Sequence, residues 1–186
     1  MKNFLIICFL LFTIATASAQ LSQNGLLFDG VDDRIKISNN AAYNVGNGNI
    51  SIEAWIRADA VGATNIWEYI VSTYAGNSSG FGLAITYGGA LSFTINGSGY
   101  GSSTTINLRD GLCHHVAVVR KDTTVSYYID GALLPGNAAW SASINTTNPL
   151  YICNPNPNTS SPSFKGLIKE VRIWNVARTQ GELLSN

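Results

Sequence analysis

The segment Ile50-Ser-Ile-Glu-Ala-Trp-Ile-Arg57 has an apolar aliphatic residue at every second position. Serine, glutamate, tryptophan and arginine occupy the positions between them. Because successive side chains of an extended strand point to opposite sides, this period of two predicts a β-strand with one face in a core.

Similar short apolar segments recur along the chain and are separated by turn-forming residues. Further strands are predicted at Leu26–Asp29, Arg34–Ser38, Tyr69–Tyr74, Phe81–Tyr87, Leu91–Asn96, His114–Arg120, Thr124–Asp130, Pro149–Cys153 and Gly166–Trp174. Dipeptides such as Asn96-Gly97 and Asp130-Gly131 indicate tight turns between them. Many short strands at this spacing predict an all-β sandwich or barrel, with a helical turn only at Ala177–Leu184.

The first 19 residues have the order typical of a secretory signal peptide. Lys2 is followed by the apolar segment Phe4–Ile14 and by small residues at Ala17–Ala19. The apolar segment is shorter than the roughly 20 residues that a membrane-spanning helix needs. We therefore expect residues 1–19 to be removed and residues 20–186 to form one exported domain.

The charge composition excludes two classes of partner. Charged residues make up 12% of the chain, and its formal net charge is zero. Without a basic patch the sequence does not predict nucleic-acid binding, and without a basic amphipathic helix it does not predict binding at a membrane surface.

Four segments, in this order, resemble laminin-G-like jelly-roll domains of the concanavalin-A-like lectin/glucanase group. They are Leu27–Asp33, Ile52–Ile56, His114–Arg120 together with Val125–Gly131, and Phe164–Asn175. The resemblance implies an antiparallel two-sheet jelly-roll sandwich with ligand sites in the loops at its rims. It also implies an extracellular or cell-surface protein, and the style of the motifs and of the signal peptide indicates a bacterial one.

A structural calcium ion is one interpretation of the acidic residues. Some relatives are similar in holding calcium near the opening turn and the closing strand, which here implies Asp29, Asp33 and Glu170 as ligands. Calcium binds carboxylate and carbonyl oxygens. The alternative is that the aspartates cap the Gly30 turn and that Glu170 pairs with an arginine, with no cofactor at all; Lys169, where relatives commonly have aspartate, favours this alternative.

Two cysteines, Cys113 and Cys153, follow the signal peptide. Because exported proteins meet an oxidising environment, an even pair predicts a Cys113–Cys153 disulfide. The alternative is two separate buried thiols.

No arrangement of residues predicts catalysis. Glycoside hydrolysis needs two carboxylates across one cleft, whereas Glu53, Glu68 and Glu170 are each isolated in the sequence. We therefore expect a non-catalytic module that binds a glycan or takes part in adhesion. The alternative is a protein-binding or structural module of a larger cell-surface protein, and a glycoside hydrolase or its accessory domain is a third hypothesis.

Aromatic residues near polar turns are the candidates for ligand contact, since rings stack on sugar faces. The candidate ligand-binding residues are Trp67, Tyr74, Tyr100 and Trp140.

Overall fold

Two antiparallel sheets account for nearly all the regular structure in the computed structural model. It describes residues 25–60, 67–74, 79–101, 106–136, 138–153 and 163–185. The seven-stranded sheet contains β1 (Leu26–Asp29), β3 (Ile50–Ala58), β8 (His114–Lys121), β9 (Thr124–Ile129), β10 (Ala132–Leu133), β11 (Ala138–Ala139) and β13 (Lys165–Trp174). The six-stranded sheet contains β2 (Arg34–Ile37), β4 (Glu68–Ser72), β5 (Phe81–Ile85), β6 (Leu91–Ile95), β7 (Ser98–Gly101) and β12 (Leu150–Cys153).

Strand order shows the crossovers of a jelly roll. The first sheet runs β1-β13-β3-β8-β9-β10, with β11 also paired to β9, and the second runs β2-β12-β4-β5-β6-β7. Two short helices complete the described elements, a 3-10 helix at Ala41–Tyr43 and α1 at Gln180–Leu184. The predicted two-sheet sandwich is confirmed. Among the described residues, no helix is long and apolar enough to cross a lipid bilayer.

The core lies between the two sheets and is filled by the inward side chains of both. The alternation in β3 is realised as expected, since Ile50, Ile52, Ala54 and Ile56 are at most 1% exposed. From the other sheet Phe81, Leu83, Phe93 and their neighbours close the core.

Arg120, at the end of the family-like segment on β8, is buried and organises one end of the sandwich. Its guanidinium donates to the carbonyl oxygens of Gly48 (3.0 Å), Ala142 (2.8 Å) and Gly46 (2.8 Å). Burial lowers the pKa of this guanidinium. The side chain therefore joins the loop before β3 to the segment after β11.

The C-terminal segment, Trp174–Ser185, packs on the outer face of the seven-stranded sheet. Leu183 of α1 is 2% exposed and packs with Ala117 and Val119 of β8. A capping box holds the start of α1: Thr179 Oγ1 accepts from the Glu182 amide, and the Glu182 carboxylate accepts from the Thr179 amide at 2.7 Å. One of the two outer sheet faces is therefore partly covered by the chain itself.

Candidate functional site

Small residues line the outward positions of three neighbouring strands of the six-stranded sheet. In β5 the large side chains point inward, leaving Gly82 and Ala84 outward. Gly82 lies opposite Thr94 of β6, and Thr94 lies opposite Gly99 of β7. Because directly opposite residues share a face, these residues form a shallow floor.

Three aromatic rings lie on this floor, and we call Trp67, Tyr69 and Tyr74 the aromatic platform. A Cβ on Gly82 would come within 2.6 Å of Tyr69 Cε1, and one on Gly99 within 2.5 Å of Trp67 Cη2. The rings of Tyr69 and Tyr74 stack, with centroids 6.4 Å apart and planes at 15°. All three residues are half-buried, so each keeps surface that a ligand can cover.

A β-bulge in β4 directs these side chains. The register shifts between Tyr69 and Val71, so Tyr69 lies opposite Ala84 while Ser72 lies opposite Gly82. Residues three apart therefore share the outer face, which a regular strand would not allow.

Hydroxyl groups accompany the rings. Burial raises the pKa of Tyr69, whose hydroxyl is hydrogen-bonded to the Thr94 side chain. Ser72 Oγ accepts from the Tyr74 amide at 2.8 Å and so fixes the position of that residue. Apolar ring area beside a few fixed polar groups is the usual composition of a small-molecule site.

The structure brings together two of the four predicted ligand-binding aromatics, Trp67 and Tyr74. Tyr100 lies in β7, and its side chain is outside the described residues. Trp140 is 8% exposed; its ring packs edge-on against Phe93 in the core, and the residue also lines a cavity of about 270 Å³ with Arg120 and Asp122. Most of the Trp140 ring therefore packs in the core, and its part in ligand contact stays a prediction.

Tyr69 was not among the predicted site residues. The feature that could have indicated Tyr69 is the row of small outward residues on β5 to β7. These residues leave room for large side chains on the adjacent strand, β4.

The opening turn gathers Asp29, Asp32 and Asp33, whose carboxylates lie within 4.8 Å of one another. Asp29 Oδ1 accepts from the Val31 amide at 2.8 Å, and Asp33 Oδ2 accepts from the Asp29 amide at 2.9 Å. These are the turn-capping bonds of the alternative interpretation. Three exposed carboxylates, partly used in this way, supply only part of the six to eight oxygens that calcium takes.

Glu170 does not join these aspartates, and the predicted ligand set is corrected in this respect. Asp29 lies opposite Lys165, five positions along β13 from Glu170, a separation of roughly 15 Å. Glu170 instead accepts from Arg172 Nη2 at 2.8 Å and lines a cleft of about 430 Å³ with Leu26 and Val171. Calcium binding at the aspartates stays a prediction. Comparing the Tm in added calcium with the Tm in a chelator would test it.

The predicted disulfide is absent from the structure. Cys113 is exposed in the segment before β8, whereas Cys153 is fully buried at the end of β12 in the other sheet. Cys153 Sγ lies 3.6 Å from the Phe164 carbonyl oxygen. The two cysteines occupy different environments, and the prediction is corrected to two separate thiols.

The buried glutamates are paired with cations. Glu53 binds Arg178 and lies 3.2 Å from His115 Nε2, and Glu68 lies 2.7 Å from Arg109 Nε. Burial by itself raises the pKa of Glu53, but the neighbouring His115 ring, the hydrogen bond from Trp174 and the charge of Arg178 outweigh it, so the pKa is lowered. A glycosidase acid needs a raised pKa, which Glu53 does not have; burial does raise the pKa of Glu68, although Arg109 opposes the shift.

Solved structures share this fold at low sequence identity. A carbohydrate-binding module of a Ruminococcus gnavus sialidase, CBM40, bound to α2,3-sialyllactose, has a TM-score of 0.67 at 14% identity over 87% of this chain and 95% of its own. A candidate carbohydrate binding protein from Bacteroides ovatus has a TM-score of 0.64 at 20% identity, over 87% of this chain and 47% of its own. Trypanosoma rangeli sialidase has a TM-score of 0.62 at 18% identity, over 87% of this chain and 27% of its own. The chain thus spans about half of the Bacteroides protein.

A search of curated proteins returned no significant match. A family model, Laminin_G_3, matches residues 29–184, which is most of the chain. The matched span begins at the last residue of β1 and includes all the other strands of both sheets. The chain therefore belongs to the Laminin_G_3 family of the Concanavalin A-like lectin/glucanases superfamily.

Proposed function

We propose that this protein is a non-catalytic carbohydrate-binding module whose ligand lies on the aromatic platform. The observation that carries the proposal is the set of three half-buried rings: Tyr69 rests on Gly82, Trp67 rests on Gly99, and Tyr74 stacks with Tyr69. A flat ring stacks on the C–H face of a pyranose and covers a large area at small cost in side-chain entropy.

The position of the platform supports this proposal. It lies on the outer face of the six-stranded sheet, whereas the C-terminal segment packs on the outer face of the other sheet. The Ruminococcus module of similar fold, which is almost fully spanned by this chain, is described as bound to α2,3-sialyllactose.

The arrangement of carboxylates supports a role without catalysis. Hydrolysis of a glycoside uses two carboxyl groups that face the same bond. Glu53, Glu68 and Glu170 each pair with an arginine in the structure. Turnover of a glycan by the purified protein would contradict this part of the proposal.

Binding is tested by retention on insoluble polysaccharides and by glycan arrays, with variants of the platform. We expect Trp67→Ala and Tyr74→Ala each to weaken binding about tenfold or more, since each removes a stacked ring. Tyr87→Ala is the matched control, because Tyr87 is 65% exposed in the turn after β5 and lies outside the platform. We expect this control to bind like the parent.

Trp67→Phe separates loss of stacking from loss of folding. Phenylalanine keeps a ring on Gly99 and should retain most of the binding. Equal binding by all these variants would place the ligand elsewhere. Capture of an extracellular protein by the purified chain, without binding to any glycan, would favour the adhesion alternative.

We propose export as well, with Gln20 as the first residue of the mature protein. The support is the order of charge, apolar segment and small residues in 1–19, a stretch that lies outside the described residues. Expression of the full chain in a bacterium, followed by the intact mass of the protein outside the cytoplasm, tests this. An unprocessed chain retained in the cytoplasm would contradict it.

A further inference from the structure

The part of the chain that builds the platform carries almost no charge. Between residues 60 and 108 the sequence has a single charged side chain, Glu68. This stretch includes β4 to β7 and the loops that join them.

Glu68 does not face the platform. It lies opposite Ile85 of β5, which in turn lies opposite Leu91 of β6, and both of these side chains are in the core. The Glu68 carboxylate is 3% exposed and bound to Arg109, which is itself 7% exposed. This charge pair is therefore on the inner side of the sheet.

Two cations share the outer face at the far edge of the sheet, because Arg34 and Lys36 of β2 flank Ile35, which packs against the core. Lys36 of β2 lies opposite Tyr151 of β12, which lies opposite Ser72 of β4. Two strand spacings separate Lys36 from Ser72, about 10 Å. Lys36 therefore lies beside the platform and does not form part of it.

We infer that the ligand is an uncharged glycan, recognised by stacking and hydroxyl hydrogen bonds; this rests on the proposed function. A carboxylate or sulfate that leaves water needs a cation or several oriented donors to replace its hydration. Among the described residues, the cations on this face, Arg34 and Lys36, lie on β2, two strands away from β4. The C–H faces of a neutral sugar match the apolar rings without that requirement. A neutral ligand would distinguish this chain from the Ruminococcus module of similar fold, which is bound to sialyllactose, a carboxylate-bearing sugar.

The test compares probes that differ in charge and share a backbone. Fully methyl-esterified homogalacturonan is compared with the de-esterified polymer, and lactose is compared with α2,3-sialyllactose. Cellulose, xyloglucan and mannan serve as further neutral probes, and heparin serves as a further acidic probe. We expect retention on at least one neutral probe, at least tenfold weaker retention on acidic probes, and no change from about 50 to about 500 mM salt.

Two variants, Lys36→Ala and Tyr74→Ala, distinguish binding through charge from binding through ring stacking. We expect Lys36→Ala to leave binding unchanged and Tyr74→Ala to weaken it about tenfold. Preferred binding of an acidic probe, lost at high salt or in Lys36→Ala, would overturn the inference while leaving glycan binding intact. Binding to no glycan at all would overturn the proposed function, and the inference with it.

Discussion

At the scale of single residues, two glycines decide where the rings of the platform lie. Neither Gly82 nor Gly99 has a positive φ, so each is required by space and not by backbone conformation. An added Cβ at Gly82 would meet Tyr69 Cε1 at 2.6 Å and Thr94 Oγ1 at 2.9 Å. The rings can rest on the backbone at these two positions because glycine has no side chain to displace them.

Gly82→Ala is therefore expected to lift the Tyr69 ring and disturb its stacking with Tyr74. We expect about tenfold weaker glycan binding and a loss of about 1–3 kcal/mol in the free energy of unfolding, as for other overpacked sites. Titration calorimetry and urea unfolding measure the two effects. Gly88→Ala is the matched control, since its Cβ would meet only Thr86 Oγ1, at 3.8 Å. Normal binding by Gly82→Ala would show that the position of Tyr69 does not matter.

At the scale of elements, the C-terminal segment is attached to β3 through the Ser51 hydroxyl and the Glu53 carboxylate. Ser51 Oγ donates to the Val176 carbonyl oxygen at 2.8 Å and accepts from the Arg178 amide at 2.9 Å. Glu53 is 1% exposed and accepts hydrogen bonds from Trp174 Nε1 at 2.7 Å and from Arg178 Nη1. The ring of Trp174 also packs against the Arg178 guanidinium, 4.7 Å from its centroid. The segment is thus fixed by charge as well as by the burial of Leu183.

This attachment predicts a loss of stability in acid. The pKa of Glu53 is lowered below its ordinary 4.5 in the folded protein, so its ionisation stabilises the fold above pH 4.5. The stabilisation is lost as pH falls through the folded-state pKa. In Glu53→Gln we expect a lower Tm at neutral pH and a difference from the parent that narrows below pH 4.5. Thermal melts between about pH 7 and pH 3 measure it; a constant difference would contradict the assignment.

A histidine joins two turns at one end of the seven-stranded sheet. His114 Nδ1 lies 2.8 Å from Asp130 Oδ2, and its Nε2 lies 3.1 Å from Asp110 Oδ2. Burial by itself lowers the pKa of His114, but the two aspartates outweigh it and raise the pKa above its ordinary 6.5. The protonated ring therefore holds the two turns together.

The stability that His114 contributes depends on pH in the opposite direction to that from Glu53. Stability from His114 is complete below pH 6.5 and is lost as pH rises through the raised folded-state pKa. We expect the Tm difference between the parent and His114→Gln to be largest near pH 6 and to shrink in alkaline solution. A proton NMR titration of the His114 ring checks the cause directly, and a pKa at or below 6.5 would refute it.

At the scale of the whole molecule, ligand binding must raise the stability of the fold. A ligand at about a hundred times its Kd stabilises the native state by about 2.7 kcal/mol. For a domain of this size this corresponds to a rise in Tm of about 5–10 °C. We expect the rise with any oligosaccharide that the protein retains, and a smaller rise in Tyr74→Ala. An equal rise in that variant would assign the stabilisation to another site.

The fold was predictable because its signals are local. The alternation in β3 and the turns flanking β8 and β9 are visible within a few residues. The site was predictable only in part, because it depends on pairing between distant strands. Trp67 and Tyr74 could be named, but their meeting with Tyr69 follows from the bulge in β4. The burial of Trp140 and the distance of Glu170 from Asp29 follow from sheet packing and register, which the sequence does not display.

The packing of α1 on the outer face of the seven-stranded sheet limits how strongly one molecule can hold a polysaccharide. The proposed site lies on the six-stranded sheet, and α1 covers part of the opposite face, so a single module is monovalent through that site. Long residence on a polysaccharide then requires several modules acting on the same chain. Each added module raises the effective concentration of the others at the surface, so overall avidity grows by far more than their number.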